Sequence, residues 1–221
     1  MDRRALVAAA AITAVVTLLR LCGELLDGPA WLFGKAAGGG LSLVGIGWLV
    51  LPCGFWFARR LWQGGERPSL LRLVAHLAAG IAVVVVGFVL VQVWIGVRPA
   101  GMAVGAGGCV VGGAIVYLGW PALGRWLLAY AVLARLPIVA ITAIAIGNDW
   151  GTHYEKLAEG APALGPVARF LVLTLAQGTF WLPITLLGGA LGGLLAASRA
   201  ASQARRAAVS CSPVPSSHDQ T

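Results

Sequence analysis

Apolar residues fall in long uninterrupted runs separated by short segments that hold nearly all of the charge. Runs of about 20 residues match the roughly 30 Å hydrocarbon core of a bilayer when coiled as helix. The short apolar/polar alternation of an outer-membrane barrel is absent. Only helices and closed barrels satisfy their backbone hydrogen bonds in lipid, so the pattern predicts an all-α, polytopic transmembrane helical bundle. Six spans are expected within a membrane domain of residues 1–198, at 5–22, 41–57, 74–97, 101–120, 127–147 and 170–196. The tail 199–221 is rich in Pro and Ser at its end, has little to bury, and is expected to be disordered and cytoplasmic.

Local signals refine this outline. Asp27-Gly28-Pro29 and Gly38-Gly39-Gly40 mark a loop after the first span, with a short interfacial piece around Trp31 to Phe33. Pro52 and Gly54 predict a kink in the second span, and Pro183 one in the sixth. The first span begins like a signal peptide but lacks a convincing cleavage site, which favours an uncleaved helix. Arg20 and Glu24 lie four residues apart on one face and can pair, with Arg20 snorkelling outward.

Composition agrees with a membrane address. The chain of 221 residues is 59% apolar and 11% charged, against about 25% charged in soluble domains. Its net charge of +8 is spread over span ends, which does not fit a nucleic-acid surface. Ten basic residues (Arg3, Arg4, Arg59, Arg60, Arg67, Arg72, Arg125, Arg199, Arg205, Arg206) fall on one side and four (Lys35, Arg98, Lys156, Arg169) on the other. The positive-inside rule then places both termini in the cytoplasm. The Ala-, Gly- and Arg-rich, Lys-poor composition points to a bacterial chain, hence to the inner (plasma) membrane. Cys22, Cys53, Cys109 and Cys211 have no metal-binding spacing and read as small packing residues.

Two faces stand out for their small residues. Gly101, Gly105, Gly108, Gly112 and Gly119 form one stripe of the fourth span. Gly188 and Gly192 continue a face of the sixth that also holds Thr174, Gly178, Trp181 and Thr185, with Gln177 beside it. Glycines let helix backbones approach closely in lipid, so these are expected packing faces, toward the rest of the bundle, other membrane subunits or a second copy.

Candidate chemistry centres on the fifth span. Arg135 is the one charge deep within an apolar run, and Thr142 and Asp149 succeed it at intervals of seven. Such a stripe can line a path for an anion or a polar headgroup. Equally, Arg135 can snorkel to the cytoplasmic surface, about 12 Å away if the helix starts at Leu127, and anchor the span. Beyond it, Asp149 and His153 would meet on a further helical turn, and His153 and Glu155 in a bent one. One histidine among acids is a poor metal set, so neither a metal nor a cofactor is expected. No HExxH, GxSxG or phosphate-cradling loop occurs, and no catalytic residue is assigned. The first expectation is a membrane-embedded structural or accessory subunit; a small transporter or channel past Arg135 and Gln177, or an enzyme using Asp149 and His153, are the alternatives.

Overall fold

The computed structural model describes residues 3–39, 42–91, 99–158 and 161–210. Among them all regular structure is helical: α1 (Arg3–Leu25), α2 (Ala30–Phe33), α3 (Val50–Gln63), α4 (Leu70–Leu90), α5 (Pro99–Gly119), α6 (Pro121–Asn148), α7 (Pro166–Ala176) and α8 (Leu182–Ser210). A π-helical stretch, Gln177–Trp181, joins the last two. Five segments are long and apolar enough to cross a membrane: α1, α4, α5, α6 and the continuous rod from α7 through α8. Val7, Ile81, Val111 and Leu171 are among the large apolar side chains left bare on their outer faces. So much exposed apolar surface fits a lipid environment.

The second expected span is the exception. Residues 42–49 are bends and turns, and α3 has only 14 residues, about 21 Å of helix against a core of roughly 30 Å. Pro52 does not kink it. Proline lies in the first turn, where its missing N–H is an orphan donor in any case. Arg59 and Arg60 lie inside the helix, which ends instead at Gly64 and at Gly65, whose φ is +95°. The short α2 covers the Trp31–Phe33 stretch where a short interfacial piece is expected.

Two other boundaries move for local reasons. Pro121 starts α6 directly after α5, so the fifth span begins there and not at Leu127. The Ala- and Arg-rich segment after Arg199 keeps α8 helical to Ser210, as its propensity favours. The first part of the expected disordered tail is thus helix. The stretch from Cys211 to Thr221, together with Gln92, Trp94, Arg98 and Glu159, lies outside the described residues. In the last span the irregularity falls at the π-helical stretch just before Pro183.

The glycine faces meet the chain's own helices. A methyl on Gly112 would sit 2.7 Å from the Gly80 carbonyl oxygen of α4, and one on Gly108 would sit 3.4 Å from the Gly87 Cα. Gly105 faces Val91, while Gly101 is buried. On α8, Gly188 packs on Val50, Gly189 on Leu127 with its backbone against Gly54, and Gly192 on the α3 backbone at Leu51 and Phe55. Phe57, Leu123, Leu127 and Tyr130 lead a core at the end of the bundle where α1 begins. Leu21, Ile138, Ile141, Ala145 and Tyr154 form a second core where α1 and α6 finish, and the loops there make a lobe.

Candidate functional sites

The lobe is fastened by a charged cluster. Leu25 ends α1, and the chain doubles back so that carbonyls of the next loop point at Arg20. Its Nη2 donates to Gly34 O at 2.9 Å and Gly39 O at 2.5 Å, and its Nε to Glu24 Oε1 at 2.9 Å. A methyl on Gly45 would stand 3.0 Å from this guanidinium, a tight contact with the end of the Arg20 side chain. The Arg20–Glu24 pair therefore forms as its spacing predicts, but Arg20 turns into the lobe and does not snorkel outward.

Glu24 is fully buried, and its second partner residue comes from the far loop. His153 donates its backbone N–H to Glu24 Oε2 at 2.9 Å, and its Nδ1 meets Oε1 at very short range. Burial pushes the His153 pKa down, more than the neighbouring carboxylate pulls it up. A neutral imidazole donating from Nδ1 fits that direction. Next to it the Tyr154 hydroxyl donates to Thr17 O at 3.2 Å, and burial raises its pKa well above the usual phenol range. With both Glu24 oxygens bonded, this carboxylate is closed to substrates.

Asp149 does not join it. α6 stops at Asn148, Asp149 adopts a left-handed conformation with φ 49°, and Gly151 has φ 68°, so the further helical turn that would bring Asp149 to His153 is not made. Asp149 is exposed, and Glu155 bonds the Thr152 amide at 2.9 Å. Among the described residues no group of His, Cys, Asp and Glu can hold a metal ion.

The second centre is Arg135. Because α6 has 28 residues and starts at Pro121, Arg135 stands at its middle, about 20 Å from either end. Its guanidinium stays inside the bundle, with the residue 8% exposed. Its side chain turns instead to α8: Nη2 donates to Thr185 Oγ1 at 3.4 Å, and the guanidinium lies 5.4 Å from the Trp181 ring centroid. The Thr185 hydroxyl in turn donates to Trp181 O at 2.8 Å. Arg135 Nε is buried without a partner, and no carboxylate pairs with the group among the described residues.

Toward the lobe, Gln177 Oε1 and Thr174 Oγ1 are also buried and unpartnered. Thr185, Trp181, Gln177 and Thr174 recur at three- and four-residue steps, on one side of the rod. The π-helical stretch begins at Gln177, and such bulges free backbone groups and often accompany functional sites. Thr142 is buried on α6 two turns beyond Arg135.

The sequence signal for the first cluster was Glu24, the one acid within an apolar span. A buried acid must find donors, but the choice of His153, 129 positions away, has no local signature. The chain matches no family model, no curated protein and no solved structure.

Proposed function

We propose that the protein binds and conducts a small anionic solute, with the lobe facing the cell exterior and Arg135 as the residue that meets the anion. The observation that carries this reading is a guanidinium at mid-helix with no carboxylate and an unpartnered Nε. A charge at that depth is costly, by roughly 2.5 to 3.5 kcal/mol on insertion scales, and ordinarily belongs to an ion or substrate route. Gln177 and Thr174 extend the polar face toward the lobe, each with an atom in want of a partner. An anion arriving with part of its hydration shell would complement all three groups.

The accessory-subunit expectation loses its main support because the glycine faces are occupied by α3 and α4 of the same chain. The enzyme alternative loses its dyad, because His153 is engaged by Glu24.

The test uses single-Cys variants from Arg135 to Asp149 in a Cys-free background, labelled with anionic and cationic methanethiosulfonates of equal size. Reactivity every third or fourth residue down to Thr142, faster with the anionic reagent, is expected. Arg135→Leu should erase that charge preference. Labelling that stops near Gly147 would leave α6 a packed helix and end the proposal.

A further inference from the structure

The lobe holds a cavity that the Arg135 face does not use. It measures about 730 Å³ and lies between Lys35–Ala37 and residues within 149–158 and 161–169. Among the described residues its charged lining is Lys35, Asp149, Glu155, Lys156 and Arg169. Lys35 is drawn off by Asp27 at 2.5 Å, which leaves two acids and two bases among them. A lining so balanced favours a ligand that is neutral overall but carries both charges.

Two atoms set the polarity of that ligand. Glu155 is 3% exposed; its Oε1 accepts the Thr152 amide, and its Oε2 is buried with no donor. Arg169, in the first turns of α7, has a buried Nε with no acceptor. Glu155 and Arg169 both line this cavity and each keeps one buried atom without a partner, an oxygen that calls for an N–H donor and a guanidinium nitrogen that calls for an oxyanion. Arg169 and Lys156 together suit a phosphate, for which arginine supplies several donors and lysine a point charge. Primary ammonium fits Glu155 Oε2, whereas a trimethylammonium group has no N–H to give. Beside the cavity, Val167 and Leu171 of α7 are 74% and 60% exposed, as helix surface in contact with acyl chains would be.

We propose that this cavity binds a phosphoethanolamine zwitterion, its ammonium on Glu155 and its phosphate on Arg169 and Lys156. The group can arrive as an aminophospholipid headgroup, whose diester is neutral overall with the ammonium, or as the free molecule, whose monoester carries additional negative charge. The site uses none of Arg135, Gln177 or Thr174, so it stands or falls apart from the conduction reading.

The purified protein would be titrated in detergent with phosphatidylethanolamine, phosphatidylcholine and phosphatidylglycerol of identical chains, and separately with free phosphoethanolamine and glycine. Phosphatidylethanolamine should bind tighter than either other lipid by about tenfold, the worth of one charge-assisted hydrogen bond. Glu155→Gln should remove that margin, Arg169→Gln should weaken all three lipids alike because each carries the phosphate, and Arg135→Leu should change neither. Displacement of the lipid by free phosphoethanolamine would identify the headgroup as sufficient; binding of the lipid alone would make its chains part of the ligand. Equal binding of the choline lipid, tighter binding of the glycerol lipid, binding of glycine as tight as phosphoethanolamine, full retention of the margin in Glu155→Gln, or unchanged lipid affinity in Arg169→Gln would each overturn the assignment.

Discussion

Arg20 and Arg135 are buried to the same degree, 7% and 8% exposed, and both stand on long apolar helices. Their surroundings differ. Arg20 lies near the end of α1, where loop carbonyls and Glu24 can reach it, and four acceptors share its guanidinium. Arg135 sits at mid-helix, where neighbours are side chains on other helices, and it finds one long hydrogen bond and an aromatic ring. The first arrangement is what a structural charge needs to stay in an apolar protein; the second leaves a charge unspent. Burial alone therefore does not separate a fastening from a binding residue, whereas the partner set does.

Breaking the satisfied cluster should have the largest effect. Glu24→Leu leaves Arg20 buried without its counter-ion and should cost about 3–5 kcal/mol in reversible unfolding, while the double change Arg20→Met with Glu24→Leu should recover most of it. A double variant no better than the single one would mean that the loop carbonyls, and not the ion pair, hold the lobe. Arg135→Leu should move stability the other way, raising it by up to about 3 kcal/mol, the cost that insertion scales attach to a buried arginine. A comparable loss in that variant would show Arg135 to be as structural as Arg20.

Acidification sharpens the contrast further. Burial holds the His153 pKa below its ordinary 6.5, so the unfolded lobe binds more protons between the two values. The His153 contribution is then fully present above about pH 6.5 and is lost as pH falls through the depressed value. Amide protection factors of residues 150–158, which discount the slowing of intrinsic exchange in acid, should fall on going from neutral to mildly acidic buffer, and His153→Asn should flatten that response. Protection that rises in acid would mean that imidazolium on Glu24 is the stable form. The smallest effect belongs to Thr185→Val, which removes one 3.4 Å hydrogen bond from Arg135 and should cost under about 1 kcal/mol.

The all-helical build, with segments long and apolar enough to cross a bilayer, was legible because apolar runs of span length leave few other options. The Arg20–Glu24 pair could be read from its four-residue spacing, since helix geometry makes that neighbourhood local. The depth of Arg135 could not. It turns on whether α6 starts at Pro121 or at Leu127, and the Trp120-Pro121 step can be taken for a turn as easily as for a proline at a helix start. His153 was noticed for the wrong partner, because Asp149 is near in sequence and Glu24 only in space. Residues 42–49 looked like the first half of a span because hydropathy counts apolar side chains and does not register the bends and turns that 43–49 make beside Arg20.

The shortness of α3 also bears on how the protein is made. A segment of 14 residues with two arginines near its end is a poor substrate for insertion by itself. The groove that accepts it, formed by Gly188, Gly189 and Gly192, belongs to α8, which leaves the ribosome much later. Between the synthesis of α3 and that of α8, four other helical segments must emerge, α4 to α7, and throughout that interval α3 lacks its docking surface. The seating of α3 is therefore completed from the C-terminal side, after the intervening helices have entered the bilayer.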